Sequence, residues 1–176
     1  MAVAVREIRN PRTGQRLKFV VSRPDLLRIE SLNPPSAEHE PVHVHPRQTS
    51  GCEVTSGSLV FEVEGRERRL TTGDSIVIPP DTPHRFWNDG AEEASSVQFF
   101  EPALQTAAFF ETFFALAAAD KLDSKGMPRP LQLALLVPEF GDEIRPVSPP
   151  WPILRALAFV LGPIARARGY QGRITA

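Results

Sequence analysis

Three of the four histidines in this 176-residue chain sit where their spacing permits shared chemistry. His43 and His45 lie two apart in VHVHP. On a strand, side chains at i and i+2 leave from one face, about 6.6 Å apart along the chain, so both imidazoles can converge on one ion. His84 follows a proline-stiffened turn in GDSIVIPPDTPHRFWN, residues 73–88. If its strand lies beside the first, three neutral imidazoles meet at one point. Imidazole suits Fe, Zn, Cu and Ni, and three protein ligands leave positions open for water or substrate. The fourth histidine, His39, reads as a loop residue.

Holding such a trio takes strands, and residues 1–101 supply them. RLKFVVS, LLRIESL, SLVFEVEG and SIVIPP are strand-like in length and in β-branched and aromatic content. NPRTG, NPPS, EGRE, TTGD, PPDTP and NDGA between them are turn chemistry. Regular short strands with frequent turns predict an all-β sandwich or barrel. After Glu101 the period changes. In ALQTAAFFETFFALAAAD, Phe109, Phe110, Phe113, Phe114, Leu116 and Ala117 fall in one broad arc of a helix, and Pro102 suits its first turn. PLQLALLVPEF predicts a short helix ending near Pro138. PWPILRALAFVLGPIARARG predicts a last helix, with Ser148 as N-cap, Pro149 at its first position and a break or kink at Gly162-Pro163. The expected layout is a β domain over residues 1–101 and a helical extension over 102–176 packed on it.

With these residues in place, the sequence resembles the cupins, small β-barrel proteins with two short signatures. The first runs Gly, five residues, His-x-His, three or four residues, Glu, six residues, Gly. His43 and His45 fit it, and Gly57 fits as the closing glycine. The second runs Gly, five residues, Pro-x-Gly, two residues, His, three residues, Asn, and Gly73, Pro79, His84 and Asn88 fall at its spacings. The resemblance implies a mainly β, antiparallel jelly-roll barrel of the RmlC-like kind with C-terminal α-helices. It also implies a divalent transition metal (Fe, Mn, Ni, Zn or Cu) on His43, His45 and His84.

Three departures from the signatures matter. Ser50 stands where the family places its glutamate ligand, with Thr49 at the neighbouring alternative position. Ala37 replaces the leading glycine, and Asp81 replaces the glycine of Pro-x-Gly. Aspartate tolerates left-handed turn conformations, so that turn should survive. Glu53 is no substitute for the lost carboxylate, because its odd offset from Ser50 turns it to the other face. Three histidines alone leave a metal its full dipositive charge. Such a metal binds more weakly and lowers the pKa of bound water further.

The residues expected to line the site are Gln48, Ser50, Cys52, Phe61 and Phe86. Cys52 shares parity with Ser50 and reads as a small core residue rather than a reactive thiol. Leu59, Phe61 and Val63 read as interior packing, and Trp87 as an outward residue covered by the helices.

Two functions remain open. One is a metal-dependent enzyme of oxygenase or isomerase type on a small organic molecule. The other is a non-catalytic small-molecule-binding cupin whose metal site is degenerate or empty. Whether the protein is an enzyme is not decided by the sequence.

The net charge of -1 argues against nucleic acid as partner. A single cysteine excludes a disulfide framework. MAVAVREIRN meets Arg6 and Glu7 before any long apolar stretch, so no secretory signal and a cytoplasmic location are expected. After Glu143 come Arg145, Arg155, Arg166, Arg168 and Arg173 and no acid. A membrane-surface helix is one reading of that tail, and a packed helix with arginines at its C-terminal dipole is the favoured one. Strands near Arg6–Ile8 and Leu17–Val21 suggest edge pairing between subunits, hence a homodimer.

Overall fold

The computed structural model describes residues 6–36 and 39–174; Ala37, the substituted signature glycine, lies outside them. The described residues up to Glu101 carry ten strands: β1 (Arg6–Arg9), β2 (Arg16–Ser22), β3 (Leu27–Asn33), β4 (His43–Val44), β5 (Thr49–Ser56), β6 (Ser58–Val63), β7 (Arg66–Thr71), β8 (Ser75–Ile78), β9 (His84–Trp87) and β10 (Ala94–Glu101). Then come α1 (Thr106–Ala118), α2 (Pro130–Phe140), a short strand β11 (Arg145–Pro146) and α3 (Trp151–Ala167).

The strands form two antiparallel sheets, of order β1-β2-β3-β10-β5-β8 and β11-β4-β9-β6-β7. The result is a jelly roll of two facing sheets rather than the closed barrel expected, with no continuous hydrogen-bonded closure between them among the described residues. Alternation along the strands fixes what points inward. Leu59 and Phe61 from β6, Cys52 and Val54 from β5, and Leu70 and Ile78 form one buried cluster. Burying each large apolar side chain contributes roughly 1.5–3 kcal/mol, so such a cluster sets the register of the sheets that carry it. Glu53, at odd offset, is exposed.

The helices carry a second face to the strands. Phe114 of α1 joins Leu17, Phe19, Leu27, Ile29 and Phe100. Leu116 and Ala117 turn to α2 and meet Leu136 and Phe140. The extension also enters the sheet, because β11 pairs with β4 through Arg145↔Val44 and Pro146↔His43.

Three helix boundaries differ from expectation. α2 runs through Pro138 to Phe140; a proline in the last turn removes one backbone bond and leaves the rest of the helix intact. α3 runs unbroken through Gly162-Pro163. The carbonyl that Pro163 leaves without a partner belongs to Phe159, which is 85% exposed, so water can take it up. α3 also begins at Trp151, with Pro150 at its N-cap position and no side-chain cap, rather than at Ser148-Pro149. A residue that precedes a proline is disfavoured from the helical region, and Pro149 precedes Pro150. The solvent side of α3 presents Ile153, Leu157, Phe159, Val160 and Ile164. No helix among the described residues is long and apolar enough to cross a membrane.

Candidate functional site

The register that brings the histidines together is a single antiparallel pair: β4 lies against β9 with His43 opposite His84. His45 follows β4 directly. β9 is in turn pinned to β6, with Phe61 opposite Phe86 and Val63 opposite His84. The turn before β9 keeps its signature geometry without its glycine. Asp81 takes φ 58°, and its N–H donates to the His45 carbonyl at 3.0 Å. The turn that delivers His84 is thereby tied to the strand that delivers His45.

The ring centroids of His43 and His84 are 4.5 Å apart, and His45 is 5.1 Å from each. One ligand nitrogen from each ring lies within 4.8 Å of the other two. Metal–nitrogen bonds of about 2.1 Å place neighbouring ligands about 3.0–3.4 Å apart, so the rings need close by no more than about 1–2 Å around an ion.

The second nitrogen of every ring is spoken for. His43 Nδ1 bonds the Pro41 carbonyl at 2.9 Å, His45 Nδ1 the Glu143 carbonyl at 2.7 Å, and His84 Nδ1 the Thr82 carbonyl at 2.8 Å. A carbonyl oxygen only accepts, so each Nδ1 must carry the proton. Each Nε2 is then an unprotonated lone pair, the form in which imidazole binds a metal.

Electrostatics hold the same state. The three histidines are 5–8% exposed. Burial lowers the pKa of His43. Burial, with repulsion from His43 and His84, puts His45 well below its ordinary value. Burial and His43 bring His84 down to about 4. The trio is neutral at physiological pH. The donor set therefore fits a divalent transition metal: three neutral imidazoles, pre-oriented, with the correct tautomer.

A cavity of about 450 Å³ opens from the histidines. Ser50, Cys52, Phe61 and Phe86 line it. Phe61 and Phe86 stack at 5.2 Å. Ser50 is 5% exposed and presents a hydroxyl where a carboxylate would be needed to ligate. Burial pushes the Cys52 thiol up to about 11, which keeps it protonated and unreactive. Gln48 is placed elsewhere. Its amide nitrogen donates to the Pro102 carbonyl and to Thr106 Oγ1, both at 2.7 Å, which ties β5 to the start of α1. Trp87 is covered by the His39 ring, stacked at 4.4 Å.

Two further carboxylates stand at the site, one faintly signalled in the sequence and one not at all. Glu40 lines the cavity, and its Oε1 accepts the Phe86 N–H at 3.2 Å. Protein packed around its carboxyl pushes the pKa up to about 7, against the pull of His84, although the residue keeps exposed surface at the rim. An acid three residues before the first histidine was the one available hint. Glu143 comes from the turn after α2, is 3% exposed, and contributes its carbonyl to His45. Nothing local in the sequence announces a contact between residues 98 positions apart.

Residues 32–99 match the cupin domain family. Over that stretch the chain carries a cupin domain. A protein named as an oxidoreductase, from Arthrobotrys oligospora, is 30% identical over 124 residues, 66% of this chain and 47% of that protein. Protein SchB from Streptomyces halstedii is 35% identical over 60 residues, 34% of this chain and 44% of its own length. The chain thus spans about half the length of these relatives. An RmlC-like cupin from Shewanella frigidimarina superposes with a TM-score of 0.51 at 22% identity, covering 58% of this chain and 88% of the other. That likeness concerns the fold.

Proposed function

We propose that this cupin is a metal-dependent enzyme of oxygenase or isomerase type acting on a small organic molecule, with the metal on His43, His45 and His84. The observation that carries the reading is the set of three Nδ1-to-carbonyl hydrogen bonds, which leaves each Nε2 lone pair free in a trio whose ligand nitrogens lie within 4.8 Å of one another beside a cavity. Fe, Mn, Ni, Zn or Cu would serve, and the metal would polarise a substrate oxygen or handle dioxygen. The carbonyls of Pro41, Thr82 and Glu143 hold the rings, and the phenylalanine walls give the cavity an apolar lining. The relative named as an oxidoreductase supports the redox branch.

A second reading is a non-catalytic binding cupin with a degenerate site, favoured by the serine at position 50. Metal content of the purified protein, set against a His84→Ala variant of equal foldedness, separates the two. Stoichiometric metal that the variant loses is the expected result. A well-folded wild type that stays empty when offered each of the five metals overturns the first reading. The same proposal includes a homodimer in the cytoplasm: β1 stands at the open edge of the six-stranded sheet with most of its residues exposed, a surface suited to pairing with a second copy.

A further inference from the structure

The strand domain and the helical extension build the cavity in nearly equal shares, and its chemistry selects a class of occupant. Phe61, Phe86 and Phe100 form its sheet side. Phe109, Phe110, Phe113 and Phe140 form its helical side. Phe109, Phe110 and Phe113 are only half-buried, so their ring faces remain available to a guest. At about 450 Å³ the space suits an ordinary small-molecule ligand, for which cavities run roughly 300–1,000 Å³. Aromatic walls favour a flat aromatic guest, stacked or edge-on.

Away from the histidines the wall offers little to a phosphate or a strong anion. Its cations, among the described residues, are Arg12, whose guanidinium donates to the Asp123 carbonyl, and exposed Lys125 at the rim of the same turn.

Two polar groups at the histidine end await partners. Gln98, on β10, is 7% exposed and its Nε2 is buried with no hydrogen-bond partner. It shares a strand face with Phe100, whose ring lies 5.3 Å from His45. Glu143 is 3% exposed; its Oε1 accepts the Gln105 N–H at 3.0 Å and its Oε2 is buried with no partner. Both residues line the cavity. A buried donor and a buried acceptor left unmatched are each costly. A hydroxyl matches both, because it accepts from the amide and donates to the carboxylate.

We infer that the cavity takes an uncharged aromatic molecule bearing a hydroxyl, with its rings against Phe109, Phe110 and Phe113 and its hydroxyl directed to Gln98 and Glu143 beside the histidines. The inference rests on the small-molecule reading above and adds the substrate class and two specificity-determining residues.

Calorimetric titration with 2-naphthol, naphthalene and glucose 6-phosphate tests it, on the full chain, both zinc-loaded and chelator-treated. 2-Naphthol should bind roughly ten- to a hundredfold more tightly than naphthalene, the worth of one neutral hydrogen bond from the amide and one charge-assisted bond to the carboxylate. Gln98→Leu and Glu143→Gln should each shrink that preference while leaving naphthalene affinity within about twofold. Phe110→Ala should weaken both aromatic probes. Near-ultraviolet circular dichroism establishes that each variant is folded. Binding of glucose 6-phosphate without 2-naphthol overturns the inference. Equal binding of the two aromatics in wild type, or an undiminished preference in both polar variants, overturns the hydroxyl site. The naphthol pattern appearing in a protein that takes up no zinc upholds the inference and counts against the metal reading alone.

Discussion

Neutrality of the histidine trio predicts a specific acid weakness. His84 has a pKa of about 4 in the folded chain against 6.5 when free, because burial and the neighbouring His43 penalise its cation. Between those values the unfolded chain holds a proton that the folded chain refuses, so stability falls as pH falls. Each pH unit in that window is worth about 1.4 kcal/mol. Acidification from about pH 7.5 to about pH 4.5 crosses nearly two such units and should cost about 2–3 kcal/mol through His84. Glu40 runs the other way. Its carboxyl, raised to about 7 by burial, takes up a proton in the folded state first and so favours folding as pH falls. The clean comparison is therefore Glu40→Gln against the double variant Glu40→Gln/His84→Gln, both with chelator present. Urea unfolding followed by circular dichroism at the two pH values gives four stabilities. The single variant should lose about 2–3 kcal/mol more on acidification than the double. Parallel losses would refute the claim that folding keeps His84 uncharged.

Other perturbations test the frame around the site. Phe61→Ala removes a ring that is 3% exposed and stacked on Phe86, and should cost about 3–4 kcal/mol in urea unfolding. Gly51→Ala sets a methyl against the Phe99 ring and 2.6 Å from the Ile76 carbonyl oxygen. Sheet backbone has no room to yield there, so a loss of about 2–4 kcal/mol in thermal or urea unfolding is expected. Gly141→Ala drives a methyl into the Trp151 ring and the Val137 carbonyl, at 2.6 and 2.7 Å. It should disturb the turn that carries Glu143 and weaken metal affinity about tenfold in competition with a chromophoric chelator.

Much of the site is legible because its determinants are local. The two-residue offset of His43 and His45, and the spacing from Gly73 through Pro79 to His84, specify strand, turn and strand. Asp81 could be forecast to keep its turn because aspartate accepts positive φ. The contributions of Glu143 and Gln98 are invisible in the sequence because they depend on how the extension docks, a tertiary event with no short-range signature. Gln48 shows the reverse error source. Its position suggested a wall residue, but the start of α1 offered its amide two strong acceptors. The prolines at 138 and 163 show that punctuation residues end helices only where the lost bond cannot be met otherwise.

The pairing of β11 with β4 makes the extension a mechanical part of the centre rather than an appendage. The same short turn grips one imidazole through the Glu143 carbonyl and leads directly into the strand that borders His43. A guest wedged under α2 would press on that turn, and so on the hold over the His45 proton. Cargo and ion would then sense each other through one hinge of backbone, and grafting a different lid onto this sheet would retune the ligand set even with all three histidines untouched.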